Sequence, residues 1–440
     1  MASGVAKRDG GRVIVIGAGF SGSATAAQLL RRGRRVTLIE RNAAFGPGLA
    51  YGEAAGEHLL NVVAARMSAF PEVPTHFVAW LERRLGGDWA ERFAPRKMYG
   101  AYLQEALREA ASARWPSQLT RLRGAAVACR REGEGWAVTL ANGRAVVGDA
   151  VVLAVGAPRP AAPAPFAQED MIGAWDRRAY LHLPRDSDVL LMGAGLTMVD
   201  VALALAPTRR KGVIYALSRR GRLPLVQGPR GAAGDLPHLP TELSAALQVV
   251  RKQAAPNWRA TMDALRAAAP DIWMHLGEAR QRRFLRHLRP WWDSHRHRLA
   301  PEIDAQIKAL IAEGRLRILA GEIAAAAREG GVWRLQHRGR GSRVRHRIEV
   351  AGVINCTGSD FALARSEDPL VRQLLDEGLA RAPANGVGFD VDVHNRLCDR
   401  TGAAQPNLYV VGPLALGAFW ESVSVPELRH RAAAVARALE

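Results

Sequence analysis

Arg12-Val13-Ile14-Val15-Ile16-Gly17-Ala18-Gly19-Phe20-Ser21-Gly22 is the stretch on which the fold turns. Its first five residues alternate little and are almost wholly apolar, the pattern of a parallel strand buried on both faces. Three glycines follow in a G-x-G-x-x-G spacing, then a helical stretch from Ser23 to Arg32, a break at Gly33, and a second strand, Val36 to Ile39, ending at Glu40. Each glycine has a distinct task. Gly17 permits the tight turn, Gly19 lets backbone approach a pyrophosphate at the helix N-terminus, and Gly22 lets helix and strand pack closely. Glu40 stands 18 residues past Gly22, where an acid accepts the ribose hydroxyls of an adenosine. The glycines alone are weak evidence; strand, glycines, helix, second strand and acid together form a dinucleotide site. The acid repels a 2′-phosphate, so the expected ligand is FAD, with Gly17, Gly19, Phe20, Ser21, Gly22, Glu40 and Arg41 around it.

The pattern recurs mid-chain. Asp188 to Met192 reads as a strand, followed by Gly193-Ala194-Gly195-Leu196-Thr197-Met198, a helix from Val199 to Leu205, and a strand from Val213 to Leu217. Met198 replaces the third glycine. The second strand ends in Ser218-Arg219-Arg220 instead of an acid. Guanidinium groups recognise phosphate oxygens in bidentate fashion, so this site is expected to hold NADPH through Gly193, Gly195, Thr197, Arg219 and Arg220. The plainer alternative makes the two arginines part of a generally basic surface.

Three more segments, Asp149 to Gly156, Val353 to Gly358 and Leu408 to Gly412, run apolar and end in glycine. They read as crossings that cradle the cofactors, which adds Gly156, Gly358 and Gly412 to the candidate residues. The expected fold is α/β, with two Rossmann-like dinucleotide-binding domains. Residues 1–160 and 350–440 form a discontinuous FAD domain, and residues 185–349 an inserted NADPH domain. The latter includes a helical insertion at 225–313, rich in tryptophan. A helix from about Pro426 is placed to aim its N-terminal amides at the flavin edge. Pro413 stands where such proteins usually carry the aspartate that holds the ribityl chain, leaving that contact unassigned.

Composition narrows the function. With 440 residues, 48% of them hydrophobic, the chain has material for about two or three domains. No apolar run approaches the ~20 residues of a membrane span, and Met1 to Gly10 contains no apolar leader; a cytoplasmic location is expected. The net charge of +19 is carried mostly by arginines interleaved with acids rather than by one basic arm, which argues against a nucleic-acid partner. Cys129, Cys356 and Cys398 form no C-x-x-C and no metal-ligand spacing, so no metal is expected and dithiol–flavin chemistry lacks its redox pair. His295 and His297 lie two apart, on different faces of a helix. The insertion's tryptophans read as core packing or as a lid over a substrate cleft.

One resemblance adds to this reading. His58-Leu59-Leu60-Asn61-Val62, Arg66 to Pro71, Pro95-Arg96…Tyr99…Tyr102-Leu103, and Trp420-Glu421…Val425-Pro426-Glu427…Arg429 resemble the bacterial FAD/NAD(P)-binding family of the YdhS type over nearly the whole chain. More distantly, the layout is similar to class B flavin monooxygenases, especially the N-hydroxylating ones. The resemblance implies an NADPH-dependent monooxygenase that transfers one oxygen from O2 to a small nucleophilic substrate, with Asn61 as a polar group near the flavin by analogy of position. Phe166 to Trp175 lacks the histidine of the Baeyer–Villiger fingerprint, which disfavours ketone oxygenation. A reductase or oxidase without oxygen transfer, and a flavin-binding protein without turnover, remain alternatives. Substrate and oligomeric state are not legible.

Overall fold

A computed structural model describes residues 11–113, 118–208, 210–228 and 236–440; Met1 to Gly10, on which the expectation of no apolar leader rests, lies outside the described residues. Its frame is two parallel sheets, each centred on one of the glycine-rich motifs. In the six-stranded sheet the order is Arg396–Cys398, Ala404–Val410, Ala150–Leu153, Arg12–Ile16, Arg35–Glu40 and Leu119–Arg123. All neighbours are parallel except the short edge strand Arg396–Cys398. Val13, Ile14 and Val15 are fully buried and Ile16 nearly so, as the unbroken apolar run requires of a central parallel strand.

In the seven-stranded sheet the order is Arg345–Val350, Val332–Gly339, Leu316–Glu329, Ile214–Ser218, Val189–Met192, Gly352–Asn355 and Ile172–Gly173. The strands from Leu316–Glu329 to Ile172–Gly173 are parallel, and the remaining two form antiparallel hairpins with them. A separate antiparallel meander, Ala126–Glu132, Gly135–Leu140 and Ala145–Gly148, has no counterpart in the sequence reading. Gly352–Asn355 pairs with Val189–Met192. The chain therefore returns to the first sheet only beyond this strand, not at residue 350.

Helices sheathe both sheets. The first phosphate helix, Phe20–Arg31, packs against helix Arg96–Ser112 and the C-terminal helix Val425–Ala438. The second, Leu196–Leu205, packs against Pro301–Ala312. Between lie Leu243–His275, Glu278–His287 and Arg289–Arg296. The first of these bends at Pro256, with Asn257 in a non-helical conformation, because proline removes one amide and clashes with the preceding turn. These three helices dock on the first sheet's C-terminal segment. Trp273 is 3% exposed, stacks on Trp420 at 4.6 Å, and donates its indole N–H to the Gly417 carbonyl at 2.8 Å.

The arginine excess is not all solvated surface. Arg210, Arg296 and Arg298 are buried. Arg210 donates to the carbonyls of Leu183, Pro184 and Ser187, and burial lowers its pKa.

Among the described glycines the tightest approach to backbone is at Gly22, where a Cβ would stand 1.8 Å from the Gly17 carbonyl oxygen. Both partners are backbone, so neither can yield without moving the strand. Gly22→Ala is expected to yield little folded protein, checked by circular dichroism and gel filtration. A native, FAD-binding Gly22→Ala protein would contradict the packing.

Candidate dinucleotide sites

Both phosphate loops sit at topological switch points. Arg12–Ile16 has Arg35–Glu40 on one side and Ala150–Leu153 on the other; Val189–Met192 has Ile214–Ser218 and Gly352–Asn355. Crevices outside the carboxyl ends of such strands are where α/β sheets bind ligands.

The two loops are built by the same bonds. Gly17 N–H donates to Ile39 O at 2.8 Å, and Ala154 N–H to Ile16 O at 2.8 Å. At the second loop Gly193 N–H donates to Leu217 O at 2.7 Å, and Cys356 N–H to Met192 O at 2.8 Å. Gly17 and Gly193 adopt φ of 96° and 125°, where a side chain is strained. A Cβ would also strike Ala154 O at 2.3 Å or Cys356 O at 2.2 Å. Each neighbouring strand then leaves through a left-handed glycine, Gly156 (φ 82°) or Gly358 (φ 87°), with nothing within 4 Å of a built Cβ. The Val353 to Gly358 segment is thus the second sheet's equivalent of Ala150 to Gly156.

The second glycine of each motif faces open space. A Cβ on Gly19 meets only Gly48 Cα at 3.6 Å, and one on Gly195 meets nothing within 4 Å. Both residues are the N-caps of their helices, and no side chain caps either helix. Unsatisfied first-turn amides with room before them fit a pyrophosphate, so the residues present suit a dinucleotide at each site.

Beyond the loops the two sites diverge. Glu40 is buried; its Oε2 accepts from Ala18 N–H at 2.7 Å and its Oε1 from Asn42 N–H at 2.8 Å. It therefore braces the loop and keeps lone pairs for ribose hydroxyls. Phe20 and Ser21 are buried in the first turn, and Arg41 is exposed, 3.6 Å from Asp368. At the second site Arg219 is exposed and Arg220 half-buried, in a turn closed by Gly221 N–H on Ser218. Neither pairs with a carboxylate among the described residues. Met198 is fully buried, and Thr197 opens on a cleft with His58, Trp175, Arg177 and Asp200. Gly412 adopts φ of 136° against Ser21, whose Oγ is 3.2 Å from a built Cβ.

Asn61 lies half-buried. Its carbonyl accepts from Gln227 Nε2 at 3.1 Å, and its side chain has no hydrogen-bond partner among the described residues. Three neighbours missed in the sequence tie the two units together. His58 accepts at Nδ1 from Ala55 N–H (3.2 Å) and donates from Nε2 to Asp200 O (3.0 Å); burial lowers its pKa. Arg96 donates to Asp200 Oδ2 at 2.5 Å and to Leu59 O at 3.0 Å. The only prior signal was the spacing of His58 and Pro95-Arg96 in the resemblance; nothing marked Asp200.

Cys129, Cys356 and Cys398 are buried and free, and burial pushes the Cys129 thiol up to about 12 and the Cys356 thiol further. Buried thiols of this kind are poor nucleophiles. His295 sits edge-on to Trp258 at 5.2 Å, whereas His297 lies beside Asp293. Among the described residues no group of His, Cys, Asp and Glu is arranged to hold a metal ion, and no helix is long and apolar enough to cross a membrane.

Residues 14–158 match a family model described as FAD-NAD(P)-binding. No curated protein matches the chain by sequence. Among solved structures it is similar to DfoA, the cadaverine monooxygenase of Erwinia amylovora solved with FAD: TM-score 0.69 at 13% identity, covering 97% of this chain and 94% of that one. The ornithine N-hydroxylase of Kutzneria sp. 744, solved with reduced FAD, NADP+ and L-ornithine, gives 0.68 at 16% identity, covering 98% and 99%. Thioredoxin reductase of Lactococcus lactis gives 0.55 at 12% identity, covering 98% and 97%. The chain has the two-dinucleotide flavoprotein fold.

The open space before Gly19 separates folding from binding. Gly19→Val is expected to keep native circular dichroism while the purified protein loses its yellow colour. Stoichiometric FAD in that variant would remove the first loop from the binding site.

Proposed function

We propose that the protein is an FAD-dependent monooxygenase that uses NADPH and O2 to oxygenate a small substrate at nitrogen. FAD, when bound, supplies hydride acceptance from NADPH and activation of O2. The chain's own part is placement. Gly17, Gly19, Phe20, Ser21 and Gly22 present the first helix N-terminus to the FAD pyrophosphate, Glu40 holds its ribose, and Gly156 and Gly412 shape the walls. Gly193, Gly195 and Thr197 do the same for NADPH beside Gly358, while Arg219 and Arg220 take its 2′-phosphate. Asn61 offers its unpaired amide to the reacting region. The cytoplasm, where NADPH is supplied, is the compartment we assign.

The observation that carries this reading is the pair of uncapped, glycine-fronted helix N-termini in a chain whose three thiols are buried apart. Two dinucleotide sites without a dithiol suit delivery of electrons to oxygen rather than to a disulfide. The whole-chain likeness to N-hydroxylating enzymes supports the same choice. A plain NAD(P)H oxidase or reductase is the second reading, supported by the likeness to the thioredoxin reductase of Lactococcus lactis.

Coenzyme choice tests the second site. Losing a charge-assisted contact costs about 1.5–3 kcal/mol, so Arg219→Ala with Arg220→Ala is expected to weaken NADPH roughly tenfold to a hundredfold and NADH hardly at all, read from KM for each. Equal losses would make the pair surface residues. Turnover tests the reaction: with a panel of primary amines, NADPH and O2 consumption should match hydroxylamine formed, with little hydrogen peroxide. Stoichiometric peroxide with every amine and sulfide tried would establish the oxidase instead.

A further inference from the structure

The turn leading into the C-terminal helix is built around a buried, strained acid. Glu421 is 2% exposed and adopts φ of 87°. The other non-glycine residues with positive φ among the described residues are asparagines, Asn395 and Asn407, which tolerate that region far better than glutamate. A conformation of this kind persists only where the surroundings over-determine it.

Those surroundings are the helical insertion. Trp292 Nε1 donates to Glu421 Oε1 at 2.9 Å, and Arg296 Nε to Oε2 at 2.5 Å. Arg266 Nε stands 3.8 Å from the same oxygen. The two guanidinium groups also reach Ser424, the N-cap of the C-terminal helix, at 3.2 and 3.3 Å, and Arg266 pairs with Glu427 in its first turn at 2.9 Å. The Arg296 side chain is 5% exposed and that of Arg266 10%, against 2% for the acid they meet. On its other side the turn reaches the first phosphate helix through Gly412. Ser422, next to Glu421, donates from Oγ to Gly412 O at 3.4 Å, and Gly412 lies against Ser21.

We propose that Glu421 is a positioning residue that couples the first dinucleotide site to the helical insertion, so that FAD binding and docking of residues 243–296 strengthen each other. The proposal rests on the reading of the first site as an FAD site. FAD against Ser21 and Gly412 holds the turn; the turn holds the carboxylate where Trp292, Arg266 and Arg296 converge. A buried charge stripped of its partners is costly on either side, so the two events share one free energy. Linkage then requires that docking tighten FAD by the same factor as FAD tightens docking.

Trypsin reads this coupling. Arg251, Lys252, Arg280, Arg282 and Arg286 are exposed on the insertion's helices, and cleavage within a helix requires local opening. FAD is expected to slow cleavage of the full-length protein between residues 243 and 296 about tenfold relative to apoprotein. Glu421→Gln removes the charge, and Glu421→Gly removes the carboxylate together with the backbone strain. Both are expected to weaken FAD about tenfold by fluorescence titration and to abolish the FAD dependence of cleavage. Wild-type protein that binds FAD but is cleaved equally with and without it overturns the coupling, even where both variants fail to fold. A folded Glu421→Gly protein with wild-type affinity and protection overturns it as well. Wild-type protein that binds no FAD sinks the FAD reading and the coupling together.

Discussion

An α-helix begins with amides that have no partner inside the helix, and this structure leaves two such ends uncapped. Gly19 and Gly195 stand where serine, threonine or aspartate commonly close the first turn. From that choice the local geometry follows. To bring an open helix end to the mouth of a central strand, the chain must turn through φ above 90° at Gly17 and Gly193. The turn presses each of those glycines onto a neighbouring carbonyl, Ala154 O or Cys356 O. That strand must then veer away, and it does so two residues later, at Gly156 and Gly358. One physical demand, free amides facing a cleft, thus fixes four glycines in two places.

With the phosphate turns alike, the difference between the sites is one of charge at the next strand. Glu40 ends its strand buried and bonded to Ala18 N–H, so its negative charge is built into the loop and cannot swing away from a ligand. Arg219 and Arg220 end theirs without carboxylate partners among the described residues, so their charge is free to meet an anion. A 2′-phosphate is repelled by the first arrangement and attracted by the second. On the proposed reading, these side chains at the strand ends carry the discrimination between the two cofactors.

The phosphate loops were legible because their demands are local: a glycine required by a carbonyl at 2.3 Å has no substitute, and spacing records it. The strand Gly352–Asn355 lies in the second sheet and not with residues 350–440 in the first, a difference the sequence hides because an apolar run reports burial and not which sheet supplies it. The meander at 126–148 carries no motif that marks it in the sequence. Arg266 and Arg296 were hidden among 61 lysines and arginines, and composition alone made them surface. Burial of a cation depends on a partner far away in sequence, here Glu421, and no local pattern announces such a pair. The left-handed backbone of Glu421 was equally silent, since sequence suggests that conformation only at glycine or asparagine.

The ties between the two units are placed where they do not compete with the sites. Asp200 receives Arg96 on its carboxylate and His58 on its carbonyl, and it lies a full turn beyond Leu196, where the second phosphate helix begins. The first-turn amides are left alone. The insertion likewise departs after the second unit's strand Ile214–Ser218 yet docks on the first unit, through Trp273 on Trp420 and Arg296 on Glu421. A segment that belongs to one unit by sequence and to the other by packing is stretched or relaxed by any change in their relative position. Hydride transfer between two dinucleotides, as proposed above, would demand that their reactive rings meet within contact distance, which makes such a strap more than decoration. Its anchor is charged and buried, so it releases only when both partners can be solvated or paired elsewhere. An apolar anchor of equal area would slide; a buried ion pair with directional bonds admits one register.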